Sequence, residues 1–280
     1  MDKTESPLSK LAAIQMASGP NTRANLIEAA RLIADAADAG AGLVALPENF
    51  ALMAMGEGDL VRAGEADGQG PIQDFLAEKA AQHGIWLVGG TVPVCAEDGR
   101  RVRSACPVYN ARGERVARYD KIHLFDVHLP DSGESYTESR EQAPGDRVVT
   151  VDSPFGRLGL AVCYDLRFPE LFRALMEAGA ETLVVPSAFT AITGKAHWEV
   201  LVRARAVENL CYVVAPAQGG YHANGRQTHG DSCIVDPWGV VLDRLPSGSG
   251  IVLAERNAQY QEAMRRNFPA LEHRRPLASD

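Results

Sequence analysis

Three residues of this sequence carry groups that together can perform covalent chemistry, and each stands at the end of an apolar run: Glu48, Lys121 and Cys163. The run 158–162 predicts a buried strand that ends at Cys163, and Pro169 then opens an amphipathic helix. A cysteine on such a turn lies close to a helix N-terminus, where free N–H groups favour a thiolate and bind an oxyanion. The alternative for Cys163 taken alone is a buried structural thiol.

Glu48 and Lys121 supply the acid–base and electrostatic groups that a nucleophilic thiol needs. A carboxylate at the mouth of a buried site can accept the thiol proton. A fixed ammonium beside the thiol lowers its pKa and stabilises the negative oxygen of a tetrahedral intermediate. For Glu48 taken singly, the alternative is a helix-capping or solvated carboxylate. For Lys121 taken singly, the alternative is a solvated surface lysine. Together with Cys163 they indicate nucleophilic catalysis.

Composition and charge restrict the class of protein. The chain has 280 residues, of which 46% are hydrophobic, so it can bury a large core. Its formal net charge of −8 argues against nucleic-acid or anionic-membrane partners, because both need a basic surface. No apolar run approaches the roughly 18 residues of a membrane span, and the polar start indicates no signal peptide. We therefore expect a cytoplasmic protein.

The cysteines and histidines indicate reduced thiols and no metal. The five cysteines are odd in number and form no C-x-x-C pair, which is typical of a reducing compartment without a disulfide framework or zinc site. The seven histidines include no H-E-x-x-H, and no carboxylate or cysteine cluster joins them. We expect no metal site and no cofactor.

The order of the predicted elements indicates a mixed α/β fold. Strand-helix-strand patterns occur near residues 11–90 and again near 158–215, and their continuous apolar runs are typical of strands covered on both faces. Hairpins are predicted over residues 104–119 and 232–244, so the sheets should be mixed. The predicted helices begin near residues 21, 71, 169 and 197, and the predicted loops span residues 56–70, 130–146 and 218–225.

Two packed sheets with helices on their outer faces bury the apolar faces of all these elements, so we expect this arrangement. Because no linker or low-complexity segment interrupts the chain, we expect one domain over residues 1–280. The charged tail from about residue 257 should lie on the surface or in a subunit contact.

Several stretches carry a resemblance to a known family. Leu46-Pro47-Glu48-Asn49, the segment 119–126 and the Cys163 stretch resemble, in order and spacing, the Glu, Lys and Cys motifs of the nitrilase superfamily of carbon–nitrogen hydrolases. The resemblance covers nearly the whole chain. Later blocks, among them residues 187–199, 203–209 and 236–239, are most similar to the Nit branch, and within it to deaminated glutathione amidases, with ω-amidases as near neighbours.

The resemblance implies a four-layer α-β-β-α sandwich, usually dimerised, and assigns further site residues. Glu138 matches a second carboxylate that supports Lys121 and the substrate, and the backbone N–H of Tyr164 matches an oxyanion donor. Arg167 matches an arginine that binds the substrate carboxylate; its alternative is a surface ion pair. Thr193 matches a residue of the pocket lining. The sequence departs from the pattern at Asp231, where relatives often carry His, which bears on substrate preference.

The expected function is hydrolysis of a small carboxylate-bearing amide, deaminated glutathione in the first place, through a Cys163 thioester. The main alternative is an ω-amidase acting on α-ketoglutaramate-like keto-acid amides, or another aliphatic amidase. A nitrilase proper fits the later blocks less well. An acyltransferase with the same three residues would need membrane spans, which the sequence lacks, or an acyl-carrier partner. An alternative from a different functional class is a non-catalytic binding protein of the same fold. The presence of Glu48, Lys121 and Cys163 together argues against this alternative.

Overall fold

The computed structural model describes residues 10–129 and 133–275. In these ranges the strands are β1 (Lys10–Gln15), β2 (Leu43–Ala45), β3 (Trp86–Val88), β4 (Val92–Cys95), β5 (Val102–Tyr109), β6 (Arg115–Asp120), β7 (Asp126–Leu129), β8 (Glu134–Thr137), β9 (Thr150–Val151), β10 (Leu158–Leu160), β11 (Thr182–Val184), β12 (Tyr212–Ala215), β13 (Gly219–Tyr221), β14 (Gln227–His229), β15 (Ser232–Val235), β16 (Val241–Leu245) and β17 (Gly250–Glu255). The helices are α1 (Thr22–Asp38), α2 (Asp59–Arg62), α3 (Pro71–His83), α4 (Pro169–Glu177), α5 (Ala191–Asn209) and α6 (Ala258–Asn267).

Two mixed sheets form the centre of the molecule. The first has the order β17-β1-β2-β3-β5-β4, with β6 also paired to β5. In it β1, β2 and β3 are parallel, and the other pairs are antiparallel. The second has the order β16-β15-β12-β11-β10-β9, with a parallel centre of β10, β11 and β12. Both parallel centres lie in the two strand-helix-strand regions predicted from the sequence.

The alternation of side chains along the strands divides the core into layers. In β1, Ala12 and Ile14 pack with Leu32 of α1 and Leu76 of α3, outside the first sheet. Leu11 and Ala13 point the other way, into a core shared with the second sheet and with helices α4 and α5. The layers are therefore helices, sheet, sheet and helices, as expected for strands that are apolar on both faces.

Local signals explain where several elements begin. The Asn21 side chain accepts a hydrogen bond from the backbone N–H of Ala24 and caps α1 as predicted. Pro71 opens α3, and Gly84 ends it in the left-handed region. The hairpins β5–β6 and β15–β16 are confirmed.

Other boundaries differ from the prediction. Helix α5 begins at Ala191 rather than at residue 197, because Thr190 caps it by accepting from the N–H of Thr193. The predicted loops contain regular elements as well: α2, β8 and β13. Residues 130–132 of the predicted loop 130–146 lie outside the described residues.

The segment after residue 257, expected as a surface tail, forms helix α6 with a buried side. The Asn257 side chain caps it. Gln261 Nε2 donates to the carbonyl oxygens of Glu181 at 2.8 Å and Leu210 at 3.0 Å, and Arg265 also donates to the Leu210 carbonyl. This helix thus ties the C-terminal region to the chain just before β11 and β12. Among the described residues, no helix is both long and apolar enough to cross a membrane.

Candidate active site

Glu48 lies just after β2, where the chain leaves the first sheet. Its carboxylate is buried, with 3% of the residue exposed. The turn is held from both sides: Gln218 Nε2 donates to the Glu48 carbonyl at 3.0 Å, and the Asn49 N–H donates to Thr91 Oγ1 at 2.8 Å. Asn49 itself has a positive φ of 57°, which lets the chain turn sharply at this point.

Lys121 follows β6 and is almost completely buried, with 1% of the residue exposed. Its Nζ lies 2.9 Å from Glu48 Oε1 and 2.8 Å from Glu138 Oε2. Burial alone would lower the pKa of Lys121, but the charges of Glu138 and Glu48 raise it well above its usual value. The lysine is therefore a permanent ammonium, and Glu138 is fixed further by the N–H of Phe125 at 2.8 Å.

Cys163 begins a short 3-10 helix, Cys163–Arg167, that follows β10. Its φ of 48° is unusual for a residue with a side chain, and its N–H donates to the Pro186 carbonyl at 2.9 Å. The N–H of Ala188 points at Sγ from 3.5 Å. Cys163 thus lies on the turn between β10 and α4, which begins at Pro169 as predicted, and the short 3-10 helix separates the sulfur from the N-terminus of α4.

The thiol differs from expectation in its ionisation. Burial is the largest effect, and together with the negative charge of Glu48 it raises the pKa of Cys163 well above its usual value. The positive charge of Lys121 and the hydrogen bond from the Ala188 N–H lower the pKa of Cys163, but their combined effect is smaller. The resting sulfur is therefore a neutral thiol beside a carboxylate, an arrangement suited to proton transfer from sulfur to carboxylate when a substrate is attacked.

Asp165 connects the segment of Lys121 to that of Cys163. Its Oδ2 accepts from Tyr119 Oη at 2.6 Å and from the Val162 N–H at 2.8 Å. Its Oδ1 accepts from the His123 N–H at 3.1 Å and lies 2.7 Å from His123 Nδ1. The carboxylate is fully buried, so these bonds are its only compensation within the described structure. Asp165 was not among the residues predicted to belong to the site.

The predicted residues lie together around one cavity, whose volume is about 290 Å³ with its opening to solvent included. The lining includes every predicted site residue except Lys121, which lies behind Glu48 and Glu138, and also contains residues that the sequence analysis missed. The lining residues are Glu48, Phe125, Glu138, Cys163, Tyr164, Arg167, Ala188, Phe189, Thr190, Thr193 and Arg226.

Arg167 and Thr193 lie at the part of the wall formed by the start of α5. The Arg167 guanidinium lies 5.8 Å from the Tyr164 ring and 5.5 Å from the Phe189 ring. It also contacts His197 Nδ1 at 3.2 Å, and the structure gives it no carboxylate partner among the described residues. The alternative of a surface ion pair is therefore not what is found. Thr193 Oγ1 lies 2.8 Å from Thr190 Oγ1.

Arg226 is the main charged residue that the sequence analysis missed. It comes from the turn between β13 and β14, within a Gly-rich stretch whose local pattern indicates only a loop. Its guanidinium donates to the Ala188 carbonyl and lies 5.2 Å from the Tyr136 ring. In the part of the chain that the structure describes, no group of three His, Cys, Asp or Glu residues is arranged to hold a metal ion.

With this geometry in place, similarity to known proteins identifies the class. A family model described as carbon–nitrogen hydrolase matches residues 10–266. The chain belongs to the carbon–nitrogen hydrolase family.

Individual relatives make the class more specific. The chain is 44% identical over 267 residues to a deaminated glutathione amidase of Synechocystis sp. (strain PCC 6803 / GT-S), which covers 94% of this chain and 97% of the relative. The Nit3 structure of Saccharomyces cerevisiae, a member of branch 10 of the nitrilase superfamily, has a TM-score of 0.83 at 30% identity over 93% of this chain and 94% of Nit3. The chain is thus an enzyme, an amidase of the nitrilase superfamily.

The NitFhit structure of C. elegans is similar with a TM-score of 0.88 at 37% identity, covering 95% of this chain and 65% of the worm protein. These likenesses confirm the nitrilase-type sandwich expected from the sequence motifs.

Asp165→Asn tests the connection that Asp165 makes between the segment of Lys121 and the segment of Cys163. An amide places an NH₂ group opposite one pair of partners, which leaves the backbone N–H of that pair, from His123 or Val162, without its acceptor and removes the negative charge that both pairs share. We expect a loss of about 2–5 kcal/mol in the free energy of unfolding, measured by urea denaturation, and a lower kcat. The control is Asp152→Asn, whose exposed pair with Arg157 should contribute less than about 1 kcal/mol. Equal losses for both variants would contradict this role.

The ionisation of Cys163 predicts an unusual alkylation profile. In a Cys95→Ser background, which removes the exposed thiol, iodoacetamide should modify Cys163 slowly at pH 7 and ever faster above pH 9. Glu48→Gln removes a negative charge that raises the thiol pKa, so it should shift the profile toward lower pH. Mass spectrometry of the peptide, with Cys163→Ala as the blank, gives the rate. A plateau already reached near pH 7 would contradict a neutral resting thiol.

Proposed function

We propose that Cys163 is the nucleophile, Glu48 the general acid and base, and Lys121 the electrostatic catalyst of amide hydrolysis. Glu138 acts as a second carboxylate that holds Lys121 and faces the substrate. The observation that carries this proposal is the buried contact of Lys121 Nζ with both carboxylates, next to the Cys163 thiol in one cavity. A purely structural role does not explain why a buried cation holds two carboxylates on the wall of the same cavity that the thiol lines.

The first half of the reaction forms a thioester. Glu48 takes the proton of the Cys163 thiol as sulfur attacks the amide carbonyl carbon. The resulting oxyanion is stabilised by the Lys121 ammonium and the backbone N–H of Tyr164. Glu48 then returns the proton to the amide nitrogen, the C–N bond breaks, and the amine or ammonia leaves.

The second half of the reaction is hydrolysis of the thioester. Glu48, again a carboxylate, takes a proton from water, and the hydroxide adds to the thioester carbonyl. The same two groups hold the second oxyanion. When the C–S bond breaks, Cys163 recovers its proton from Glu48, and the acid product leaves. One water is consumed for each amide, and no cofactor takes part.

We propose an amide of a carboxylate-bearing acyl group as the substrate, deaminated glutathione in particular. Arg167 is the group that binds the acyl carboxylate, because its guanidinium lines the cavity and no carboxylate of the described chain pairs with it. Thr193 lines the same wall. An ω-amidase reaction on α-ketoglutaramate is the second candidate, supported by the small size of the cavity, which is about 290 Å³ with its opening included. The relatives named deaminated glutathione amidase favour the first.

We further propose that residues 1–280 act as one catalytic domain of a cytoplasmic homodimer. Support for the dimer comes from an apolar surface, here called the α5 face, formed by Val200, Val207, Trp238, Val240 and Phe268, each half exposed or more. These residues belong to one region, because Arg203 of α5 donates to the Gly239 carbonyl and the Trp238 and Phe268 rings lie 5.7 Å apart. An exposed apolar surface of this kind is typical of a protein interface.

Cys163→Ala tests the proposed nucleophile. Hydrolysis of deaminated glutathione and of α-ketoglutaramate both release 2-oxoglutarate, so one coupled assay follows both. We expect kcat to fall at least about 10⁴-fold on either substrate, since no other group can form the thioester. Cys95→Ala, which removes an exposed thiol that does not line the cavity, is the matched control and should retain wild-type turnover. A Cys163→Ala enzyme with most of its activity would rule out the mechanism, whichever substrate is preferred.

Charges placed on the α5 face test the dimer. Val200→Glu combined with Val207→Glu should convert a dimer into a monomer in sedimentation experiments, because like charges would be buried against each other. Ile27→Glu, at an exposed apolar position on α1, is the control and should leave the mass unchanged. A wild-type protein that sediments as a monomer at micromolar concentration would contradict the proposal.

A further inference from the structure

One buried residue, Gln218, makes hydrogen bonds on both sides of the catalytic cavity. It lies between β12 and β13, and it has no solvent exposure. A buried amide is stable only when its polar atoms are bonded, so the partners of Gln218 show which parts of the chain it holds. These partners lie in the segment of the nucleophile and in the segment of the general base.

The backbone of Gln218 is bonded to the peptide unit that faces the nucleophile. Its N–H donates to the Ser187 carbonyl at 2.9 Å. The N–H of Ala188 belongs to the same peptide unit as that carbonyl and points at Cys163 Sγ from 3.5 Å. Because a peptide unit is planar, a hydrogen bond that fixes the direction of its C=O also fixes the direction of its N–H. Gln218 therefore orients the donor beside the sulfur.

The side chain of Gln218 is bonded to the segment of the general base. Its Nε2 donates to the Glu48 carbonyl at 3.0 Å and to Ser18 Oγ at 2.8 Å, and its Oε1 accepts from the Ser18 N–H at 2.9 Å. Ser18 Oγ in turn donates to the Phe50 carbonyl at 2.8 Å. Two carbonyls of the turn that carries Glu48 are thus held, directly or through one hydroxyl, by a single amide.

The two bonded segments belong to different sheets. Glu48 follows β2 of the first sheet, and Cys163 follows β10 of the second. Proton transfer from the sulfur to the carboxylate needs hydrogen-bond reach, and a misplacement of about 1 Å can lower a rate by about 10²-fold. Apolar packing between the sheets is non-directional, so it controls such a distance less sharply than hydrogen bonds do. A residue bonded to both segments supplies this control.

We propose that Gln218 is a positioning residue that holds the Glu48 carboxylate and the Cys163 sulfur at the separation that proton transfer needs. The inference rests on the proposed function, because it takes Glu48 as the base and Cys163 as the nucleophile. Gln218 is not among the residues that line the cavity, so it acts through these two residues and not on the substrate.

Gln218→Met tests this role, because it keeps the backbone bond and the approximate volume but removes the side-chain bonds. We expect kcat to fall at least about tenfold and KM to change less than about threefold, since the groups that bind the substrate stay in place. Gln261→Met is the matched control. Its buried amide also donates to two carbonyls, at 2.8 and 3.0 Å, but lies on α6. This control should lower the unfolding temperature and keep the wild-type kcat.

Gln218→Glu adds a pH signature that a merely structural role would not give. The introduced carboxyl is neutral at low pH and can donate its O–H to the Glu48 carbonyl, whereas its ionised form repels that carbonyl. The kcat of this variant relative to wild type should therefore rise at least about threefold from about pH 8 to about pH 6. If Gln218→Met does not fold, Ser18→Ala removes only the hydroxyl link and should lower kcat in the same direction.

A measurement without turnover separates this inference from the proposed function. In the Cys95→Ser background, Gln218→Met should shift the iodoacetamide profile of Cys163 toward lower pH, because the Glu48 carboxylate that raises the thiol pKa moves away. Gln261→Met should leave the profile unchanged. A wild-type kcat or a wild-type profile in Gln218→Met, or an equal fall of kcat in Gln261→Met, would overturn the positioning role. If wild type hydrolyses neither substrate while the profile shifts as expected, the proposed function fails and the positioning role stands.

Discussion

The structure depends on one buried ammonium, that of Lys121, held between the carboxylates of Glu48 and Glu138. A cation with so little exposure has lost its hydration, and only close carboxylates compensate for that loss. The three residues come from three segments: the end of β2, the end of β6 and the 3-10 turn after β8. The ion cluster therefore determines how these segments meet, since moving any one of them leaves an uncompensated buried charge.

A buried carboxylate, Asp165, extends this constraint to the second sheet. Lys121 follows a strand of the first sheet and Cys163 a strand of the second, so side-chain bonds must set their relative position. Asp165 does this by accepting from the Lys121 segment, at Tyr119 and His123, and from the Cys163 segment, at Val162. The fold brings the sheets together, and the polar contacts at their ends align the thiol with the ammonium.

The strand ends that carry the reactive groups were predictable because each is marked locally, by a short apolar run followed by a polar residue. The position of Arg226 at the cavity was not predictable, because this residue reaches the cavity only when the chain between β13 and β14 folds over Ala188. The start of α5 was misplaced because its signal is the Thr190 cap rather than apolar periodicity. The direction of the Cys163 pKa was missed as well, because desolvation and Glu48 are tertiary effects that outweigh local helix geometry.

The neutral, buried state of Cys163 has a consequence for the redox behaviour of the enzyme. Peroxides attack thiolates far more readily than thiols, and they need access to the sulfur. Between turnovers the raised pKa of Cys163 leaves little thiolate, whereas Cys95 is exposed on the first sheet and is the easier thiol for a peroxide to reach. The sulfur becomes a strong nucleophile when Glu48 takes its proton, so the resting site offers an oxidant less thiolate than a site with a permanent thiolate does.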